Sequence, residues 1–270
     1  MPSIPFFRGV LAFLSILPWT AAAAGEAPAS EPAKGPEAKA APDKVSTAKG
    51  DLLIAPIQHA TLVLQWDGKT IYVDPVEGAG RFAGFPPPDM ILITHIHGDH
   101  MDAKTVKAVA GAKTVLVAPR AVAEALKKAD ESLGKLETKV LAAGEKTTVA
   151  GVGIEAILAY NLATEKKKFH EKGRDNGYVL DLAGTRVYLS GDTEDTPEMR
   201  ALEKIDVAFV AMNRPFSMTE EQAAGAVLAF QPKIVYPYHC RGSDLKKFAT
   251  LVQAKSENIE VRLRDWYAKR

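Results

Sequence analysis

From residue 51 onward the chain alternates short apolar runs with turn residues. Leu52-Leu53-Ile54-Ala55-Pro56-Ile57, Thr61-Leu62-Val63-Leu64-Gln65-Trp66 and Thr70-Ile71-Tyr72-Val73-Asp74 are the first three runs. Their length and their β-branched and aromatic content predict strands. Asp67-Gly68, between the second and the third, is a hairpin turn signal. Met90-Ile91-Leu92-Ile93 predicts a short buried strand. Beyond it, Asp102 can N-cap a helix that carries Val106, Val109 and Ala110 on one stripe and stops at Gly111. Val115-Leu116-Val117 predicts a strand, and Pro119 starts a second helix reaching toward Gly134. Residues 139–159 read as several strands with turns at Gly144-Glu145 and Ala150-Gly151, and two further runs flank a turn at Ala183-Gly184. Strands and helices then alternate. A helix starts at Thr196-Pro197, a strand covers 205–210, and Thr219-Glu220-Glu221-Gln222 is a capping box. A strand over 233–238, a helix from Asp244 and a last strand over 259–263 complete the chain. The β-rich first half and βα-like second half fit an α/β protein of two packed sheets covered by helices, although the pattern alone admits other α/β folds.

The first fifty residues follow a different pattern. Arg8 precedes a mostly apolar stretch over 10–19, and Ala21-Ala22-Ala23-Ala24 offers small-residue cleavage positions. This predicts a signal peptide over residues 1–24. The stretch is short for a membrane span, and no cysteine follows it to carry a lipid. Periplasmic or secreted protein without a stable membrane anchor after cleavage is the expectation. Residues 25–50 carry Pro28, Pro32, Pro36 and Pro42 among alanines and charges, with Val45 the only branched aliphatic. Such a segment buries too little to offset its ordering entropy, which predicts a disordered linker. The folded domain is then 51–270. The 47% hydrophobic content of the whole chain suits a protein with a real core. A net charge of +1 gives no electrostatic case for nucleic acid or an acidic membrane. The lone Cys240 reads as a buried packing residue. Oligomeric state is not legible.

The chemistry is concentrated in Thr94-His95-Ile96-His97-Gly98-Asp99-His100, directly after the strand that begins at Met90. Side chains two apart on extended chain point the same way, so His95 and His97 share a face. Gly98 lets the backbone turn and swing Asp99 and His100 toward the same point. The chain has six histidines, and three are here. Imidazole and carboxylate together suit zinc, iron or manganese. Downstream, Asp192 in Ser190-Gly191-Asp192-Thr193 and His239 in Tyr236-Pro237-Tyr238-His239 each follow a predicted strand. His170 is the only histidine between His100 and His239.

The H-x-H-x-D-H stretch, the later His170, Asp192 and His239, and the upstream His59-Ala60-Thr61 and Val73-Asp74-Pro75 resemble the metallo-β-lactamase-fold hydrolases, in the branch with an H-A-T first motif. The resemblance implies a four-layer αββα sandwich. It implies two divalent ions, zinc foremost, with manganese or iron as alternatives. One would take His95, His97 and His170. The other would take Asp99, His100 and His239, with Asp192 shared. Asn161 competes with His170 for its place. Such a pair would hold a bridging hydroxide for attack on a carbonyl or phosphoryl centre, with Asp99 able to move a proton. His59 and Asn161 are candidate substrate contacts, as is Arg214, and Asp74 would support the ligand loop.

The expected function is hydrolysis of a small-molecule ester, lactone or phosphodiester. Lys166, Lys167, Lys168, Lys172, Arg174, Arg214 and Arg241 suggest an anionic one. A secreted β-lactamase is the alternative, although Asp192 stands where the resemblance puts cysteine or serine in true β-lactamases. A catalytically idle metal-binding protein is the third reading, and the complete ligand set argues against it. A diiron oxidoreductase would want glutamate at His97. An RNA-processing enzyme would want a large inserted domain.

Overall fold

Two seven-stranded sheets carry the fold, and each strand lies beside its neighbour in sequence. The computed structural model describes residues 42–162, 165 and 169–267. The signal peptide and residues 25–41 of the expected linker lie outside the described residues. The first sheet runs through β1 (Asp43–Thr47), β2 (Gly50–Gln58), β3 (Thr61–Trp66), β4 (Lys69–Val73), β5 (Met90–Leu92), β6 (Val115–Ala118) and β7 (Glu137–Val140) in that order. β1 to β4 form an antiparallel meander, and β4 to β7 are parallel. The second sheet holds β8 (Lys146–Val149), β9 (Val152–Ala159), β10 (Asp175–Leu182), β11 (Thr185–Leu189), β12 (Val207–Ala211), β13 (Ile234–Tyr238) and β14 (Glu260–Val261). It repeats the arrangement, antiparallel from β8 to β11 and parallel from β11 to β14. Strand-rich and helix-crossed segments therefore recur in each half rather than dividing the chain into two.

The alternation along each strand decides which layer it faces. Leu62 and Leu64, Ile71 and Val73, and Met90 and Leu92 join the core that also contains Tyr178, Leu180, Val187, Phe209 and Tyr236 of the second sheet. The intervening Val63, Tyr72 and Ile91 face the other way, onto Val106 of α1 (Ala103–Val109) and Val122 and Leu126 of α2 (Arg120–Ala129). On the second sheet the same core continues to Met199 of α3 (Pro197–Arg200), Val227 and Phe230 of α4 (Glu220–Phe230), and Phe248 and Val252 of α5 (Leu245–Gln253). The predicted caps are made. Asp102 accepts from the Lys104 N–H, and Thr219 and Gln222 form the capping box of α4.

One boundary is corrected. The expected linker was to run to residue 50, yet β1 begins at Asp43 and pairs with β2, Asp43 opposite Ile54. A strand added at a sheet edge draws its stability from backbone pairing, so it needs little apolar side chain of its own. Val45 packs on the core, Arg264 grips Asp43 through two contacts of 2.7 Å, and Trp66 Nε1 donates to Thr47 Oγ1 at 2.9 Å. Composition alone hid all three contacts.

Candidate metal centre

Apart from His170, which lies in the loop between β9 and β10, the candidate ligands sit close beyond the ends of strands, where open α/β sheets gather their sites. β2 ends directly before His59, β4 before Asp74 and β13 before His239, while two residues separate β5 from His95 and β11 from Asp192. Past His97 the chain turns at once. The N–H groups of His100 and Met101 both donate to the His97 carbonyl, at 2.9 and 2.8 Å, which brings His100 back under His95. Gly191 allows the Asp192 loop to close onto this turn. Its φ is 59°, and an added Cβ would lie 2.9 Å from the Asn176 carbonyl and 3.2 Å from Thr94 Cβ.

Three interlocking groups result. His95, His97 and His170 form one, His95, His100 and Asp192 a second, and His59, Asp99 and His239 a third. Within each group the ligand atoms lie within 4.8 Å of one another. The structure thus brings close together His95, His97, Asp99, His100, His170, Asp192 and His239, and it adds His59 beside Asp99 and His239. Asp192 stands between the sets, with Oδ2 3.5 Å from His170 Nε2 and 3.4 Å from His239 Nε2, and Oδ1 3.5 Å from His100 Nε2.

Two of the inner imidazoles, His100 and His170, are aimed from behind. Asp74 is fully buried and accepts from Thr94 N–H, Thr94 Oγ1 and His100 Nδ1, all at 2.8 Å. Asp175 does the same for His170 Nδ1 at 3.1 Å. These bonds leave the Nε2 atoms of His100 and His170 facing the centre. Those two nitrogens, Asp192 Oδ1 and His239 Nδ1 are buried without a hydrogen-bond partner among the described residues. Buried polar atoms are ordinarily paired, because leaving them bare is costly. A divalent ion satisfies imidazole nitrogens and carboxylate oxygens at once, so the donor set fits one.

The electrostatics divide the imidazoles into two kinds. Burial and the neighbouring His100 and His170 rings push His95 well below its ordinary pKa, and burial and His170 lower His97. Both are neutral, as ligation requires. Burial would raise Asp99 and Asp192, but the imidazoles around them outweigh it and keep both carboxyls below the usual carboxylate range. Burial would lower His100, but Asp192 and Asp74 outweigh it and raise that imidazole to about 9.

Asp99 is the exposed member, and it opens on a cleft of ≈ 610 Å³ lined by Gln58, His59, Val76, Glu77, Gly98, Asp99, Asp102, Asn213 and Arg241. His59 holds Asp99 through Nε2 at 3.2 Å. The other substrate-contact expectations are revised. Asn161 is buried, its amide donating to the Phe216 carbonyl at 2.8 Å, and it is His170 that lies with His95 and His97. Arg214 is exposed and absent from the cleft wall, because the chain turns there; Asn213 and Arg241 line the wall instead. Of the basic loop, Lys166, Lys167 and Lys168 lie outside the described residues. Lys172 pairs with Glu198 at 3.1 Å, and Arg174 with Asp175 at 2.7 Å.

Asp175 and Tyr267 escaped the sequence reading. Asp175 is only five residues beyond His170 and was visible merely as one loop charge among several. Tyr267 OH meets His59 Nδ1 at 2.7 Å and accepts from Cys240 N–H at 2.9 Å, from 208 residues beyond His59. No local pattern signals so remote a contact. Cys240 is buried, as expected.

Comparison with known proteins agrees with this geometry. Residues 54–239 match the sequence model of the β-lactamase superfamily domain. The chain belongs to the metallo-β-lactamase superfamily. A UPF0173 metal-dependent hydrolase of Pyrococcus horikoshii is 30% identical over 216 residues, covering 74% of this chain and 92% of that protein. A crystal structure from Parabacteroides distasonis, named as a metal-dependent hydrolase, is 40% identical with a TM-score of 0.74, covering 83% of this chain and 97% of that one. A metallo hydrolase from Ignicoccus hospitalis superposes with a TM-score of 0.64 at 20% identity, covering 79% of this chain and 95% of the other, and shows the shared fold alone. The superfamily member described here is a metal-dependent hydrolase with the αββα arrangement.

Proposed function

We propose that this hydrolase works with two divalent ions, most simply zinc, on an ester, lactone or phosphodiester of a small anionic molecule. The observation that carries the reading is the inward set of unpaired, buried Nε2 and Oδ1 atoms of His100, His170 and Asp192. His95, His97 and His170 would hold one ion. Asp99, His100 and His239 would hold the other, and Asp192 would be common to both. When bound, such ions supply water of lowered pKa and positive charge for a developing oxyanion. The protein supplies the rest. Asp74 and Asp175 keep His100 and His170 in one tautomer and one orientation. Asp99 faces the cleft as a carboxylate and can take a proton there, and His59, fixed by Tyr267, keeps Asp99 in place.

The test is a panel of neutral and anionic esters, lactones, thioesters and phosphodiesters, with nitrocefin as the β-lactam arm, run with the metal content measured. Chelator-sensitive turnover of an acyl or phosphoryl substrate and none of nitrocefin is the expected outcome. Nitrocefin turnover at comparable efficiency would make the protein a β-lactamase instead.

We also propose export. Arg8, the apolar stretch over 10–19 and the alanines at 21–24 support it. Among the described residues no helix is long and apolar enough to cross a membrane.

A further inference from the structure

We infer that Arg241 is the specificity residue of this site, receiving a second anionic group, a carboxylate or phosphate, that the substrate carries away from the bond that is cut. The inference rests on the hydrolytic reading above. Arg241 follows His239 by two residues, and Gly242 turns the chain immediately after it at φ 80°. It is therefore tied closely to a candidate ligand, and it lines the same cleft wall as Asp99 and His59. Its guanidinium carbon lies 5.1 Å from the centroid of the Tyr267 ring. That ring is itself fixed, by His59 at 2.7 Å and by the Cys240 N–H at 2.9 Å. An aromatic face holds a cation in position without neutralising it.

The acids of the cleft are already engaged. Glu77 accepts from Arg81 at 2.6 Å and from Gln58. Asp102 caps α1 through Lys104 N–H at 3.0 Å and also accepts from Thr105. Asp99 holds His59 and His239. Arg241 has no carboxylate at ion-pair distance among the described residues. Structural arginines of this chain do: Arg264 binds Asp43, Arg200 binds Asp195 and Arg262 binds Glu260. Asn213, across the same wall, makes no side-chain hydrogen bond among the described residues, and its amide can add a donor to the same ligand. A planar guanidinium fork matches two oxygens of a carboxylate or phosphate. Among the described residues Arg241 is the cation on the cleft wall, while Lys172 and Arg174 of the loop near His170 are paired with Glu198 and Asp175.

Calorimetric binding to the metal-loaded protein tests this with succinate, glutarate and adipate, each compared with the monocarboxylate of equal chain length. One carboxylate of each diacid suits the metal centre, and the other suits Arg241. At least one diacid should bind about tenfold more tightly than its monoacid partner. Arg241→Ala should erase that preference, and Arg241→Lys should restore part of it. No preference in any pair, or a preference that survives Arg241→Ala with an unchanged circular dichroism spectrum, would overturn the inference. A preference that depends on Arg241 in a protein that turns over none of the ester, lactone or phosphodiester panel would support the Arg241 assignment and refute the hydrolytic reading.

Discussion

Nδ1 of His170 lies 3.1 Å from Oδ2 of Asp175, with both side chains almost wholly buried. Arg174 grips the same carboxylate through Nε and Nη2, each at 2.7 Å, so the acceptor cannot turn away. The imidazole must then present Nε2 to His95, His97 and Asp192.

Loss of that support should weaken one metal site selectively. Asp175→Asn should lower affinity at the His95, His97 and His170 site by about 10–100-fold. His170→Ala should remove about one of two metal equivalents and most activity, with the fold intact. Metal titration with circular dichroism checks both. Two tightly held equivalents in His170→Ala would remove His170 from the centre.

Gly191→Ala places a methyl group 2.9 Å from the Asn176 carbonyl at a φ of 59°. A non-glycine residue there is strained, and the clash is with backbone that cannot swing aside. A stability loss of about 1–3 kcal/mol is expected. It should come with weaker metal retention, because Asp192 is the next residue. Chemical unfolding and metal analysis of the same preparation measure the two effects. A fully stable Gly191→Ala protein would contradict the close approach.

His100 makes the metal-free protein sensitive to alkali. Its pKa rises from 6.5 to about 9 because Asp192 and Asp74 outweigh burial. A raised folded-state pKa stabilises fully below the unfolded value, and the benefit is lost as pH climbs through the folded one. Chelator-treated protein should therefore lose on the order of 3 kcal/mol from His100 between about pH 6.5 and about pH 9. Urea unfolding at both ends of the window reads this. The metal-loaded form, whose His100 is already neutral, should not show the loss. Stability of the metal-free protein that rises across the window would refute the His100–Asp74–Asp192 arrangement.

Protein isolated from its native cells should begin near residue 25. N-terminal sequencing decides the matter. An intact Met1 on cytosolic protein would overturn the export proposal.

The metal motif was legible because its ligands are close in sequence and follow a strand, and strand periodicity can be read locally. His170 was harder. Its loop has no periodicity, and Asn161 fitted the same stretch; only the folded chain sets the His170 ring beside His95 and His97 and turns the Asn161 amide to the Phe216 carbonyl. Val45 could not reveal β1, because a strand completed by the edge of a sheet depends on its partner's backbone. Arg214 and Arg241 each follow a strand and looked equivalent in sequence. The turn after Met212 carries one out of the cleft, while the ring of Tyr267 keeps the other in it. Tyr267 itself shows how a contact made across 208 residues leaves no trace in either neighbourhood.

The most direct measurement is elemental analysis of the purified, dialysed protein together with its hydrolytic rate before and after chelation. The dinuclear reading predicts about two divalent equivalents per chain, loss of hydrolysis when they are removed, and recovery when they are returned. Full hydrolysis by metal-stripped protein, or a wild-type chain that retains no divalent ion, would contradict it.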